Sequence, residues 1–458
     1  MPQRPPGMGI QRHMEINEPE RGPSGSFLLR APLRILGRET WALTDQAVVS
    51  ATNFLTNIML ARFMGLREFG VFALAWMSVL FANSIQNALI VAPMMSIGPK
   101  QEEMERPRYF GAIFFHELIL ALLCFVLVFV GLLCSSRFFS HVNLHHLALP
   151  LAVSALAYQG QDFLRRYFFS IRRNRCALLD DLISYLPQLP IIFLLHRWGR
   201  LTSATALWAM AATSLVGLAA GWLWIEPLRF GWQAIKSVWL RHWKISRWLT
   251  GSALLQWTSG NLFVVAAPVY YGAAAAGVLK ASQNLMGVTH VWFQGLDNVV
   301  PVETARRLRD GGVAGMLAYT RSILARWGGL TLAFALVLGV APAFWLRLIY
   351  GAQMAQYGYI LRLYALLYLF IFVGGPLRAG LQALEFTSPI FCSYLAMSAF
   401  AAVFAGPAAK WMGLKGSMAG LIATQLIFQS IVAAALIRRS SKLRRQASAE
   451  LEVDFQTR

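Results

Sequence analysis

The sequence predicts an all-α integral membrane protein of about twelve transmembrane helices in two related lobes, and three observations carry that expectation. Of its 458 residues, 57% are hydrophobic and only 14% are charged, whereas about a quarter of a soluble domain is charged. Apolar runs of about 20 residues, the length that crosses hydrocarbon, begin near Trp41, Gly70, Tyr109, Leu147, Ala177, Ala204, Trp248, Ala275, Ile323, Tyr359, Phe391 and Ser417. Finally, the stretch Trp41 to Pro93 is echoed between Trp248 and Pro301. The first copy reads Leu43-Thr44, Asn53, Gly70-Val71, Gln86, Pro93; the second reads Leu249-Thr250, Asn261, Gly277-Val278, Gln294, Pro301. Self-similarity at a fixed period marks a repeated structural unit, so any substrate is expected between the two lobes.

The first two helices flank Gly65-Leu66-Arg67-Glu68-Phe69-Gly70, a connection short enough to make them an antiparallel hairpin. Helices seven and eight repeat that hairpin. The net charge of +20 would suit a phosphate-binding surface, but its placement excludes nucleic acid as the partner. Arg and Lys gather in the N-terminal tail, in alternate loops such as Arg165 to Arg175 and Arg229 to Arg247, and in the C-terminal tail from Arg438 to Arg445. That is the positive-inside pattern, and it puts both termini in the cytoplasm. The basic loops also attract anionic headgroups, so the membrane itself is the expected partner. The chain divides into a disordered basic tail (1–40), an N-lobe of helices one to six (41–230), a cytoplasmic connector (231–244), a C-lobe of helices seven to twelve (245–437) and a second basic tail (438–458). Cys124, Cys134, Cys176 and Cys392 lack metal or redox spacing and are read as packing residues; no metal site or cofactor is expected.

Polar residues within apolar helices are the candidate functional groups, because each must point somewhere other than lipid. Gln46, Ser50, Asn53 and Asn57 share one face of helix one, either as hydrogen-bonded contacts between helices or as the wall of a polar cavity. Asn83, Gln86 and Asn87 form a similar face on helix two ahead of Pro93, a kink or helix end. On helix eight, Lys280, Gln283, Asn284, Gly287, Val291, Gln294 and Asn298 follow steps of three and four. A mid-membrane Lys costs about 2.5–3.5 kcal/mol on insertion scales; Lys280 either snorkels outward to the interface or, beside three amides, is a cation presented to a wet cavity, where it would attract an anionic group such as phosphate.

Ionisable groups elsewhere have simpler readings. His116-Glu117 lacks the second His of a zinc-binding helix, since Leu120 stands one turn on. Glu117 is then either a functional carboxylate or the partner of a nearby Arg or of the headgroups. Asp45 lies in the first turn of helix one, where a carboxylate suits the helix dipole; together with Glu117 it is the candidate for proton or sodium coupling. Asp162 is placed to pair with Arg165 and Arg166 along its own helix, and Asp180 and Asp181 to favour the start of helix five.

Asp45-Gln46 through Asn53, Ala61-Arg62, Gly65 and Glu68-Phe69-Gly70 resemble the opening hairpin of bacterial polysaccharide and O-antigen flippases, members of the multidrug/oligosaccharidyl-lipid/polysaccharide exporter superfamily. Gln161-Asp162-Phe163-Leu164-Arg165-Arg166 and Gly375-Pro376-Leu377-Arg378 are similar to that group's helix-four and helix-ten ends. The resemblance covers nearly the whole chain. It implies two six-helix lobes related by a pseudo-twofold axis, with helices one, two, seven and eight lining a central cavity. The implied cargo is a polyprenyl-pyrophosphate-linked oligosaccharide for surface polysaccharide (lipopolysaccharide or exopolysaccharide), moved by alternating access across the inner membrane, with the polysaccharide biosynthesis machinery as a possible partner. Lys280 would bind the pyrophosphate, and Gln46, Asn53, Asn57, Gln86, Gln283, Asn284 and Gln294 would contact sugar. Such flippases often show several cavity arginines, whereas here a single mid-helix Lys stands out. Two alternatives stand beside this reading. A cation-coupled drug exporter of the same fold would need a buried carboxylate, and Asp45 and Glu117 are the ones available. A membrane-embedded glycosyltransferase or polymerase is disfavoured because no outer loop exceeds about 15 residues, too short for a domain of 50, and no paired-carboxylate motif appears; the chain is read as a non-enzyme.

Overall fold

The computed structural model describes residues 38–135 and 145–456, and the described residues are helical almost throughout, with no strand among them. α1 (Arg38–Met64) and α2 (Leu66–Gln86) form the expected hairpin across Gly65. α9 (Trp232–Tyr271) and α10 (Ala273–Met286) repeat it across Gly272, with nearly the same backbone angles at the two turns. Between these hairpins come α3 (Ala92–Ile97), α4 (Arg106–Ser135), α5 (His145–Ser170), α6 (Asn174–Tyr185), α7 (Gln188–Arg197) and α8 (Ser203–Trp222). After them come α11 (His290–Val340), the short α12 (Pro342–Tyr350), α13 (Gly358–Ala383) and α14 (Ser388–Gln456). Of the two basic tails, residues 1–37 lie outside the described residues, and the second continues α14 as helix to Gln456. Of the expected connector, 231–244, Gly231 caps α9 and the rest forms its opening turns.

Among the described residues, eight helical runs are long and apolar enough to cross a membrane. Two of these, 273–340 and 388–446, are double, because the backbone leaves helical geometry at Gly311-Gly312 and at Gly413. The chain reverses there: a Cβ on Gly416 would lie 2.0 Å from the carbonyl oxygen of Ala408, whereas residues eight apart on a straight helix are about 12 Å apart. Splitting those two runs and adding α5 and α9 gives twelve membrane-length columns, as the sequence predicts. The bend ahead of Pro93 is also present, as a π-turn over Asn87–Val91 leading into α3. Its repeat partner has a 3-10 turn at Gly287–Thr289.

α1 and α4 to α8 pack into one bundle and α9, α11, α13 and α14 into another, and the principal contact between the bundles is α2 against α10. That contact is set by the repeat glycines. A Cβ on Gly70 would meet the Ala273 carbonyl oxygen at 1.8 Å, and one on Gly277 would meet that of Leu66 at 2.5 Å. Two backbones approach this closely only where side chains are missing. Phe69, Phe72, Val278 and Leu279 close over the seam as part of a continuous core. Gly277→Leu is therefore expected to force α2 and α10 apart at their hairpin ends. Loss of disulfide cross-linking between cysteines placed at positions 66 and 273 would register that opening; unchanged cross-linking would contradict it.

Two further contacts fix the first bundle. The Glu68 carboxylate accepts the backbone N–H of Ser203 at 2.7 Å, satisfying one open donor at the start of α8. At the basic end, the Tyr109 hydroxyl lies 2.9 Å from His242 Nε2, joining α4 to the first turns of α9. Burial, with the nearby His116 and Arg241, pushes His242 down to about 4 from its usual 6.5. In the unfolded chain His242 takes up a proton near pH 6.5, whereas the folded chain resists until about pH 4. Its contribution is thus intact above pH 6.5 and is lost as pH falls toward 4. Thermal melts of the detergent-solubilised protein are expected to drop across that window, and to drop less in His242→Gln.

Candidate functional site

The polar residues that the sequence places in one cavity fall into three settings. The first is sealed inside the N-terminal bundle. Arg165 of α5 reaches Asp45 of α1 at 2.6 Å and Asp181 of α6 at 2.7 Å. Asp162 lies 4.0 Å from Arg165 and 3.6 Å from Arg166, so the local pairs expected along the helix are the weaker ones. Gln161 Nε2 donates to Asp180 at 3.1 Å and to Asp181 at 2.7 Å. Asn83 Nδ2 donates to Asp162 at 3.2 Å and to Gln86 Oε1 at 3.0 Å, and Gln86 Nε2 passes the chain on to Glu117 at 2.7 Å.

This network corrects several expectations. Gln86 is not on a cavity wall: it has no exposed surface and also donates to the Gln159 carbonyl. Its helix turns it inward because carboxylate and carbonyl acceptors lie inside the bundle, and an amide without partners there is costly. Asp45 answers a guanidinium 120 positions away rather than a helix dipole. Asp180 and Asp181 are fully buried in the second and third turns of α6, beyond the helix end that was to account for them. Glu117 is held by an amide and not by an Arg or the headgroups, and its Oε2 has no partner. Gln46 leans toward the same network: its Oε1 lies 3.3 Å from Arg165 and its Nε2 donates to Ser50.

The second setting is the stripe along α10 and α11. Lys280 is half-buried, and Gln283 Oε1 at 3.3 Å is its hydrogen-bond partner; no carboxylate pairs with it among the described residues. Asn284 donates to the Tyr350 hydroxyl at 3.1 Å, tying the stripe to α12. α12 in turn bridges the bundles, for Arg62 of α1 donates to the Leu348 carbonyl. Across the seam Asn57 donates to the Asn53 carbonyl, and both remain half-buried. The Asn298 side chain lies outside what is described.

The third setting was not anticipated. Further along the stripe, α11, α13, α14 and the Gln256 turn of α9 line a half-open cavity of about 700 Å³. Gln294 lines it, as do His290, whose Nε2 lies 3.3 Å from the Tyr368 hydroxyl, and Asp297, which pairs with Arg378 at 3.1 Å. A hint was present in the sequence: Arg378 ends its helix as Arg165 ends helix four, and both arginines reach a carboxylate on a neighbouring helix. Among the described residues no group of His, Cys, Asp and Glu could hold a metal ion.

Twelve apolar columns in two bundles, with a cation and half-buried amides between them, define a multi-pass membrane protein built on repeats. Comparison with solved structures shows the fold to be that of the MOP superfamily of transporters. It matches an inward-facing multidrug resistance MATE transporter of that superfamily at TM-score 0.69 and 12% identity, over 90% of this chain and 97% of the other. The same transporter family in an outward-facing conformation matches at 0.56 and 14%, over 90% and 98%. A MOP transporter from Pyrococcus furiosus, described as having a binding pocket of reverse polarity, matches at 0.61 and 14%, over 89% and 96%. No curated protein sequence matches the chain. Residues 39–295, more than half of the chain, match the family described as polysaccharide biosynthesis protein, and the chain belongs to that family.

Proposed function

We propose that this protein carries polyprenyl-pyrophosphate-linked oligosaccharide across the bacterial inner membrane for surface polysaccharide synthesis, with both termini in the cytoplasm. The observation that carries the reading is Lys280. It is a cation on a membrane helix with an amide neighbour and no carboxylate, which suits the charge of a pyrophosphate. Gln283 and Asn284 flank it on α10, while Asn53 and Asn57 on α1 and Gln294 on α11 offer hydrogen bonds to hydroxyl groups. Gln46 and Gln86 serve the buried network instead. The fit to the inward-facing transporter, better than to the outward-facing one, and the tight α2–α10 seam support a resting state closed at the hairpin ends. Alternating access would then part Gly70 from Gly277.

The network around Arg165 supplies the coupling device in this proposal. Asp45, Glu117, Asp162, Asp180 and Asp181 outnumber Arg165 and Arg166 in the same bundle. A buried excess of carboxylates reaches charge balance only with protons or a cation such as sodium. Movement of α1 against α5 and α6 would change that balance.

The competing reading, a cation-coupled drug exporter, shares the fold and needs a free acid facing the cargo. The acids of the N-terminal bundle are instead buried among each other, which favours the glycolipid. Proteoliposomes decide between them. Flipping of a fluorescent polyprenyl-pyrophosphate glycan without extrusion of a cationic dye is the expected result. Dye extrusion that disappears in Glu117→Gln, with no glycolipid movement, would overturn the proposal.

A further inference from the structure

The two bundles use equivalent space differently. Around Gln86 the N-terminal bundle is filled by its charged network, whereas around the repeat partner Gln294 the C-terminal bundle is hollow. A cavity of about 700 Å³ is within the range that holds a small ligand. It continues the stripe that carries Lys280, with Lys280, Gln283, His290, Gln294 and Asp297 following helical steps down α10 and α11.

The lining chemistry is specific. Gln256, Gln294 and Gln425 line the cavity, their carboxamides without a hydrogen-bond partner among the described residues, and Phe293, Phe372 and Phe428 line it with apolar rings. A carboxamide offers a donor and an acceptor together, which matches a hydroxyl group acting in both senses. Ring faces match the apolar faces of a sugar. The charged lining consists of one closed pair: Arg378 is committed to Asp297 at 3.1 Å and lies 3.5 Å from the Tyr394 hydroxyl. An anion entering this space would find no free counter-charge, since the guanidinium already answers Asp297.

We infer that this chamber of the C-terminal bundle is a sugar-selecting subsite that admits neutral glycan residues and rejects acidic ones, with Asp297 as the residue that enforces the choice by neutralising Arg378. The inference rests on the flippase reading above. Gln294 lies 14 residues beyond Lys280 along the stripe, about 21 Å at 1.5 Å per residue. The chamber therefore receives sugars some way along the chain, not the one bonded to the pyrophosphate.

The test compares two polyprenyl-pyrophosphate-linked oligosaccharides in proteoliposomes, one of neutral hexoses and one identical except for a uronic acid in its outer part. The wild type is expected to move the neutral cargo at least about tenfold faster, because an acidic sugar in the chamber meets no free cation to offset its charge. Asp297→Asn frees Arg378 and is expected to raise movement of the acidic cargo about tenfold, bringing the ratio near one. Lys280→Ala is expected to slow both cargoes and leave the ratio alone. Asp297 is largely exposed, so its variant is expected to fold; Arg378→Gln, with Asp297 left unpaired, is the second variant and is expected to sharpen rejection of the acidic cargo. If both cargoes move at the same rate in the wild type and in Asp297→Asn, the selecting chamber is wrong and the flippase reading stands. If neither cargo moves, both fall.

Discussion

Arg165→Ala is expected to prevent the protein from accumulating in folded form. Arg165 is nearly enclosed and answers Asp45 at 2.6 Å and Asp181 at 2.7 Å, with Asp162 close by. Removing one partner from a buried ion pair costs about 3–5 kcal/mol, because the remaining charge has neither water nor counter-ion. Here several carboxylates would be stranded, enough to consume much of the stability of an ordinary domain, about 5–15 kcal/mol. Arg165→Lys is expected to recover part of the loss only, since a point charge cannot reach two carboxylates as a planar fork does. Monodisperse elution and the melting temperature after solubilisation in detergent measure both; an Arg165→Ala protein as stable as the wild type would remove this network from the account of folding. Asp181→Asn acts on the opposite side of the balance and is expected to leave a folded protein. It relieves part of the acidic excess, so transport is expected to respond less to an imposed proton or sodium gradient.

Lys280→Ala is expected to do the reverse: to leave folding intact and slow glycolipid movement by about two orders of magnitude or more. The Lys280 ammonium has no carboxylate partner, so its loss strands no charge. The cost of placing a Lys at membrane depth, about 2.5–3.5 kcal/mol, is relieved as well, and the variant is expected to be at least as stable as the wild type. If Lys280 contributes a charge-assisted contact to pyrophosphate worth about 3 kcal/mol, its loss changes the rate by roughly 10². Lys280→Arg keeps the charge and is expected to retain a measurable rate. Transport at the wild-type level by Lys280→Ala would take Lys280 out of the mechanism. The contrast between the two substitutions matters more than either value, because it separates a cation that holds the protein together from one that meets the cargo.

Much of this architecture was legible in the sequence. Apolar run lengths fixed the number of columns, since hydrocarbon thickness leaves little choice, and the shared landmarks announced the paired hairpins. Gly70 and Gly277 lie at corresponding points of the two copies and meet at the seam. Sequence also singled out Lys280 and its stripe, because a cation among helical amides is visible from spacing alone. Side-chain direction on helices one and two was not legible. Gln46, Asn83 and Gln86 lie on polar faces whichever way those faces turn, and only their partners on α4 and α5, the acceptors Glu117, Gln159 and Asp162 and the donor Arg165, decide that they turn inward. Asp45, Asp180 and Asp181 looked like helix-end residues because their partners, Arg165 and Gln161, lie on another helix.

Sequence by itself thus determined that the chain crosses the membrane repeatedly, that its halves are related, and that a cation rides on a membrane helix among amides, because those properties follow from length, period and charge along one dimension. Tertiary structure alone decided which polar groups cancel one another and which stay free. It gathered Asp45, Asp162, Asp180 and Asp181 around Arg165, closed Asp297 onto Arg378, and left a hollow beside Gln294 where the matching space around Gln86 is full. The physical reason is that the worth of a buried charge or amide depends on partners within about 3 Å, and those partners come from helices far apart in the chain.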